Sequence, residues 1–406
     1  MGYHGQDVPR IMRFCLLTTF FPPQHFGGDA VLVAHLANAL AAAGHEVQVV
    51  HCRDSFGLLQ GDVPESPFPL DPRVRVHSLD SFWGPLSPVL TYFSGMPLLK
   101  AGPLGEILAQ DFDVVHWHNI SLVGGPGALR LGKGVRLCTL HDYWFICPTS
   151  ILFKYDREVC TKKDCIRCTL VHRRLPAPWR AGGLLRRSIE HVDRFLAPSR
   201  LLQEHYRNSG LGIDPTVLPN FVPALPRARP ARRDAYYLFV GRLVRAKGLQ
   251  TILPLFVKTG RPLVIAGAGE FAAELRRLAA GSRRIEFLGR VPFDQLPPLY
   301  AGARATLAPS ICHENFGLTV LESLQQGTPV ITSDFGTLPE LVARTGGGLV
   351  FRNEKELAEI LNRLDADPDS ARALGEQGAS RLEDFTPEAH LTRYFEIIEE
   401  EKRLQR

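Results

Sequence analysis

The 406-residue sequence has 47 Lys and Arg against 42 Asp and Glu, a formal net charge of +5, with 45% hydrophobic and 22% charged residues. That length exceeds one ordinary core and points to two α/β domains of a soluble globular protein. No apolar run reaches the ~20 residues that a membrane-spanning helix requires.

Arg10 and Arg13 precede an apolar run over 14–21 that resembles a signal peptide. The run ends in Pro22-Pro23 and leads into Gly27-Gly28 without a small-residue cleavage site, so a buried first strand over 11–18 explains it better. Cytoplasmic residence is therefore expected, with peripheral attachment at the inner face of a membrane left open. A helix is predicted over 29–43, ended by Gly44. Strands follow over 46–52, 73–79, 113–118, 135–141 and 192–198. Positive charge is denser from Lys154 to Arg233, including Lys162, Lys163, Arg173, Arg174, Arg186, Arg187, Arg232 and Arg233. This stretch reads either as a solvated basic face or as a surface for an anionic substrate, such as a phospholipid or a pyrophosphate-linked carrier.

Residues 218–230 contain four prolines and no periodicity, and read as an interdomain linker. A second α/β series begins with a strand over 236–241 and a helix over 246–258. Strands over 262–266, 285–288, 304–307, 329–332 and 348–351 follow, with helices from 270 and from 317 among them and terminal helices after them. The expected fold is thus two Rossmann-like, doubly wound parallel-sheet domains. The boundaries expected are an N-terminal domain over 1–220 with a Cys-rich insertion at about 145–170, a linker over 221–234 and a C-terminal domain over 235–385. The last helix, 386–406, is expected to pack back on the N-terminal domain.

Ligands of parallel sheets bind beyond the carboxyl ends of strands, and the motifs fall there. In Glu314-Asn-Phe-Gly-Leu-Thr-Val-Leu-Glu322, a strand runs through a loop into a helix near Gly317. The amides of the first turn can receive a phosphate, while Glu314 and Glu322 can grip different hydroxyls of an extended ligand. The bland alternative makes Glu314 a cap and Glu322 a solvated carboxylate. In Phe239-Val-Gly-Arg242-Leu-Val-Arg-Ala-Lys247-Gly248, a guanidinium fork and a compact ammonium follow a strand end and suit a diphosphate. They would stabilise charge on a departing nucleotide diphosphate.

These two elements, with the loop Pro22-Pro-Gln-His-Phe-Gly-Gly28 and Gly44-His45-Glu46-Val47 in this order, resemble the retaining GT-B glycosyltransferases of family 4, the "glycosyl transferases group 1" type. The resemblance covers nearly the whole chain. It implies a hexosyltransferase that moves a sugar from a nucleotide diphosphate-sugar to a hydroxyl acceptor in glycoconjugate biosynthesis, in a cleft between an acceptor-side and a donor domain. It implies that Arg242 and Lys247 bind pyrophosphate, that Glu322 holds the ribose and that Glu314 faces the transferred sugar. The stretch Asn315, Phe316, Gly317 and Leu318 would contact sugar and phosphates through its backbone. Val291, in Gly289-Arg-Val291, would read the base through main-chain bonds, and Gly27 and Gly28 would approach donor phosphate and acceptor. His118 matches the histidine near the transferred sugar. His141 and Asp142 end the next strand and are acceptor-side candidates, although a capping His-Asp pair would look the same. Asn220-Phe-Val-Pro223 departs from the family's Asn-Gly-Val-Asp, so Asn220 receives no contact.

Cys147, Cys160, Cys165 and Cys168 crowd one loop-rich stretch, with a C-x2-C knuckle at its end. Structural Zn²⁺ is the expected metal, ordering an acceptor-side loop; reduced unligated thiols and an iron–sulfur centre are the alternatives. Cys15, Cys52 and Cys138 read as ordinary buried strand residues. Asp365-Ala-Asp367 mimics a metal-binding D-x-D but reads as solvated, so no catalytic metal is expected. A sugar-nucleotide epimerase of the same architecture is the alternative function. A phosphorylase lacks an identifiable pyridoxal lysine here, and a nucleic-acid-binding module would leave the Glu pair unexplained.

Overall fold

Successive residues of the first strand enter different cores. Phe14 and Leu16 of β1 (Arg13–Leu17) join one buried cluster, and Cys15 and Leu17 join another. Such two-sided burial is what an unbroken apolar run satisfies in a parallel sheet. A computed structural model describes residues 11–25, 27–60, 68–229 and 236–406. Arg10, Phe26, Arg232, Arg233 and the linker positions 230–234 lie outside the described residues.

After β1 come β2 (Glu46–Cys52), β3 (Arg75–Leu79), β4 (Val114–Trp117) and β5 (Val135–Thr139). A small antiparallel hairpin, β6 (Phe153–Lys154) and β7 (Glu158–Val159), precedes β8 (Arg194–Ala197) and β9 (Thr216–Val217). Apart from the hairpin, these strands form one parallel sheet in the order β3-β2-β1-β4-β5-β8-β9. A second parallel sheet, β12-β11-β10-β13-β14-β15, is built from β10 (Tyr236–Val240), β11 (Leu263–Ala266), β12 (Ile285–Gly289), β13 (Ala303–Ala308), β14 (Val330–Ser333) and β15 (Gly348–Phe351). The arrangement is the GT-B one.

Strand order reverses between β1 and β4 in the first sheet and between β10 and β13 in the second. Crevices form beyond the carboxyl ends of strands at such reversals. There β1 feeds the loop to Gly27, β4 delivers His118, β10 delivers Arg242 and β13 runs toward Glu314.

The last helix, Pro387–Leu404, starts with Thr386 accepting a hydrogen bond from the Ala389 amide and with Pro at its first position. Its Leu391, Tyr394, Ile397 and Ile398 enter the core that holds Phe14, Val33 and Val114 of the N-terminal half. Each apolar side chain fully buried in this way contributes roughly 1.5–3 kcal/mol. Arg194 of β8 clasps Glu401, and His390 Nδ1 bonds the Pro219 carbonyl at 2.8 Å.

Several elements differ from the sequence expectation. Helices at Arg53–Gln60, Leu86–Ser94 and Ala101–Leu108 occupy stretches for which a helix was not resolved from periodicity. The helix expected over 246–258 is displaced: Arg245–Lys247 form one 3₁₀ turn, and the α-helix spans Leu249–Thr259. Of the Asp365-Ala-Asp367 pair, Asp367 is exposed as expected, but Asp365 is half-buried and paired. Asp365 is bonded by Arg261, Arg304 and the Tyr237 hydroxyl, and Asp367 caps the Pro368–Ala379 helix through the Ser370 amide. Both carboxylates are thus engaged in holding the domain together.

Candidate active site

Gly248 explains the displaced helix. With φ at +73°, its position leaves no room for a side chain, because a Cβ there would lie 1.8 Å from the Pro309 carbonyl oxygen. Its absence lets the 242–248 loop lie on the loop after β13, where the Ile311 amide donates to the Ala246 carbonyl at 3.0 Å. That contact brings the two charged motifs together. Lys247 Nζ meets Glu314 Oε1 at 2.6 Å, with side chains 28% and 15% exposed, and the Ser310 hydroxyl bonds the same oxygen. Burial works against ionisation of Glu314. The Lys247 ammonium and its hydrogen bond, the Ser310 bond and the Arg242 charge prevail and hold the carboxyl below its ordinary value. Arg242 itself is exposed, so its fork is open to an anion.

The helix Leu318–Gln325 begins after Gly317, which has φ +107°. The Phe316 side chain is buried in the cluster with Val320 and Phe385, which leaves the backbone contact expected of this segment as it was. Asn315 Oδ1 is buried and accepts no hydrogen bond among the described residues, while the Asn315 backbone carbonyl accepts from Ser199 Oγ at 2.8 Å. Thr337 Oγ1 donates to the Glu314 carbonyl at 2.7 Å and fixes the loop from the other side. Glu322, half-buried in the second turn, accepts from the Tyr300 hydroxyl at 2.6 Å. Burial pushes its carboxyl up and the Tyr300 bond opposes that shift. Val291 is half-buried in the loop after β12.

On the N-terminal side, His116 and His118 lie side by side with ring centres 4.0 Å apart and planes tilted by 37°, as residues two apart on an extended segment can. His116 is anchored by the Tyr394 and Thr139 hydroxyls, both at 2.8 Å. His118 Nδ1 shares a 2.9 Å hydrogen bond with His141 Nε2, and its buried Nε2 has no partner among the described residues. Burial, then the neighbouring imidazoles, hold His118 well below the ordinary histidine range. A neutral ring of this kind can bond a sugar hydroxyl but does not serve as a cation. Asp142 accepts from the Trp144 amide at 2.7 Å, so it does close a turn; burial also pushes its carboxyl up to about 7 against that bond, with the Asp29 charge adding to the rise.

The two halves meet around the glycine loop. A Cβ on Gly28 would lie 3.2 Å from Leu318 Cδ1, and Arg290 beside Val291 bonds the His25 carbonyl at 3.3 Å. Asp29 then influences His141 and bonds Asn119 Nδ2 at 3.2 Å. The seam between the halves thus runs past Gly28 and Leu318, with Lys247 and Glu314 paired in the C-terminal half and His118 and His141 paired in the N-terminal half. Glu322 sits farther along the helix and makes its own contact with Tyr300.

Sequence reasoning missed Ser310 and Tyr300, whose hydroxyls bond the carboxylates of Glu314 and Glu322, and Thr337 and Ser199, whose hydroxyls bond the backbone carbonyls of Glu314 and Asn315. It also missed His313, which packs on His205 across the seam with ring centres 4.6 Å apart. Single hydroxyls carry no spacing signal; His313 adjoins Glu314 and was visible as a loop residue of the same motif. The cysteines expected as metal ligands, Cys147, Cys160, Cys165 and Cys168, all line one pocket. Cys15, Cys52 and Cys138 are buried, as is Cys312.

The family described as "Glycosyl transferases group 1" matches residues 226–381, and "Glycosyltransferase Family 4" matches residues 26–224. A glycosyltransferase of Methanocaldococcus jannaschii is 37% identical over 383 residues, spanning 88% of this chain and 90% of the relative. A glycogen synthase of Mycobacterium tuberculosis is 28% identical over 406 residues, spanning 91% and 90%. The solved sucrose-phosphate synthase of Thermosynechococcus elongatus matches with a TM-score of 0.70 at 20% identity, covering 96% of this chain and 98% of that one. That last likeness speaks for the fold.

Proposed function

The chain belongs to the glycosyltransferases of the GT-B, family 4 type and transfers sugar from a nucleotide diphosphate-sugar; we propose that it does so with retained anomeric configuration, through the residues that border the seam. In this reading Arg242 and Lys247 take the diphosphate and the amides before Leu318 take its remaining charge. Glu322 holds the ribose, Val291 lies along the base, and Glu314 with neutral His118 faces the sugar. Gly27 and Gly28 allow close approach to the phosphates, and the acceptor enters beside His141 and Asp142. The leaving diphosphate accepts the proton of the attacking hydroxyl, so no side chain acts as a covalent nucleophile. The two cations supply the charge neutralisation that a divalent ion gives in other phosphoryl sites, and no catalytic metal is invoked.

The observation that carries this reading is the Lys247–Glu314 contact at the strand-order reversal of the second sheet, faced by Gly28 at Leu318. The test is incubation with UDP-, GDP- and ADP-sugars and an acceptor panel, with product configuration read by NMR. A glycoside of the donor's own anomeric configuration is expected. An inverted product would remove the retaining step, and an isomerised donor in the absence of acceptor would favour the epimerase.

No helix among the described residues is long and apolar enough to cross a membrane. Residues 162–175 nonetheless expose Ile166, Leu170, Val171 and Leu175 between exposed Lys162, Lys163, Arg167, Arg173 and Arg174. Apolar side chains interleaved with cations suit an anionic lipid surface, where each nearby cation adds about 1 kcal/mol. Sedimentation with phosphatidylglycerol vesicles is expected to carry the protein down, and with phosphatidylcholine vesicles to leave it in solution. Binding unaltered in Ile166→Ser/Leu170→Ser would assign the surface elsewhere.

A further inference from the structure

We infer that Cys147, Cys160, Cys165 and Cys168 hold one thiophilic divalent ion, Zn²⁺, and that this ion fastens a strap that crosses from the N-terminal half onto the loop bearing Arg242 and Lys247. The spacing, C-x12-C-x4-C-x2-C, gathers ligands from three places: a turn after β5, the end of β7 and the first turn of the helix Cys165–Val171. Cys165 and Cys168 are three apart on that helix and so share a face. All four thiols line a single pocket, with Thr149, Phe153 and Asp164 among its other walls. Its space of about 20 Å³ accommodates one ion. The Tyr155 amide already donates to Cys168 Sγ at 3.4 Å, and Thr149 Oγ1 lies 3.2 Å from Cys147 Sγ. Such hydrogen bonds to sulfur support metal-bound thiolates. Among the described residues no three Cys, His, Asp or Glu groups stand in metal-binding geometry, so ligation would require the half-buried Cys160 and Cys165 to turn toward buried Cys147 and Cys168.

The chain between Cys147 and Cys160 shows why it needs such a fastening. Ser150, Leu152, Tyr155 and Asp156 all have positive φ, between 47° and 68°, a conformation that costs non-glycine residues energy unless their surroundings impose it. The hairpin is too small to have a core of its own, and segments of this size rely on metal or covalent staples. Its outer face does not stay on the acceptor side, as the sequence suggested. Ile151 and Phe153 pack with Val244, Ala246, Ile311 and Cys312 of the C-terminal half, and Asp156 pairs with Arg245 at 3.5 Å. These neighbours flank Lys247 and Glu314. An effect of the metal on donor binding rests on the reading of Arg242 and Lys247 given above; the metal site does not.

The test uses the full chain, stripped with a chelator under reducing conditions and titrated with Co²⁺. One cobalt per chain is expected, with the intense visible bands of a tetrahedral tetrathiolate site and thiolate-to-cobalt charge transfer, both displaced by one equivalent of Zn²⁺. Metal should slow tryptic cleavage at Lys154, Arg157, Lys162 and Lys163 by about tenfold, because cleavage follows local opening. It should also lower the donor KM several-fold with less change in kcat. A weak octahedral cobalt spectrum, or isolation of iron with inorganic sulfide, would overturn the zinc site. A tetrathiolate spectrum with unaltered tryptic cleavage would overturn the strap. An unaltered donor KM beside metal-dependent protection would count against the placement of the diphosphate alone. Cys165→Ser and Cys168→Ser should each abolish the charge-transfer band, but the titration of the unsubstituted protein decides the question even if those variants fold poorly.

Discussion

Replacing Lys247 by alanine is expected to lower kcat/KM for the nucleotide-sugar by roughly 10²–10³-fold, the loss typical when a preorganised charge facing the leaving group is removed. Lys247 is bound to Glu314, and Ser310 holds the same carboxylate oxygen. The ammonium is thereby fixed, and it needs little reorganisation when negative charge grows on the departing diphosphate. Exposed Arg242 can move to meet the ligand. The two cations are accordingly unequal: the decline in Lys247→Ala should fall mainly on kcat, and in Arg242→Ala more on KM. Lys247→Ala also leaves the 15%-exposed Glu314 side chain without its counter-ion. A stability cost of roughly 1–3 kcal/mol is expected from that orphaned acceptor. Melting curves recorded beside the kinetics separate the two effects, and restoring the melting temperature with Lys247→Ala/Glu314→Gln should not restore turnover. Turnover at the level of the unsubstituted enzyme in a folded Lys247→Ala protein would refute the placement of the diphosphate.

The sequence was most informative where one physical requirement dominates. β2 (Glu46–Cys52) was legible to the residue, because Val47, Val49, Val50 and Cys52 follow directly on the helix-ending Gly44. The motifs at strand ends were legible for a related reason: Gly248 marks a close approach of two backbones and Gly317 a positive-φ helix start, and charge beside such glycines has few structural uses. Contacts between distant segments were not legible. Asp365 looked solvated because Arg261 and Arg304, its partners, lie 104 and 61 positions away. The burial of the Phe316 side chain was equally hidden, because Phe385, against which it packs, belongs to a turn far along the chain. The strap is the instructive case. The four cysteines announce a shared pocket, but nothing in their spacing says that Phe153 between them reaches Ala246 and Cys312.

For Glu322 the expected result is a loss of discrimination rather than of chemistry. Glu322→Ala should weaken donor binding by roughly 30–100-fold, the 2–3 kcal/mol carried by hydrogen bonds to a charged acceptor. A ribose hydroxyl bonds Glu322 in ground and transition states alike, so KM should rise more than kcat falls. Tyr300→Phe should act in the same direction with a smaller effect. Burial pushes the Glu322 carboxyl up, and the 2.6 Å Tyr300 bond is what opposes that rise. Without it the carboxyl would protonate at higher pH, so donor binding in Tyr300→Phe should begin to fail at a higher pH as the solution is acidified, where the ionised acceptor is lost. A 2′- or 3′-deoxyribose donor supplies the decisive comparison. The unsubstituted enzyme should prefer the ribose donor by about the factor that Glu322→Ala loses, and the variant should treat the two donors nearly equally, because the hydroxyl and the carboxylate are two ends of one bond. If Glu322→Ala kept the full preference for ribose, the carboxylate would be serving the Tyr300 contact and the packing of its helix, and the nucleoside would have to be held elsewhere along the seam.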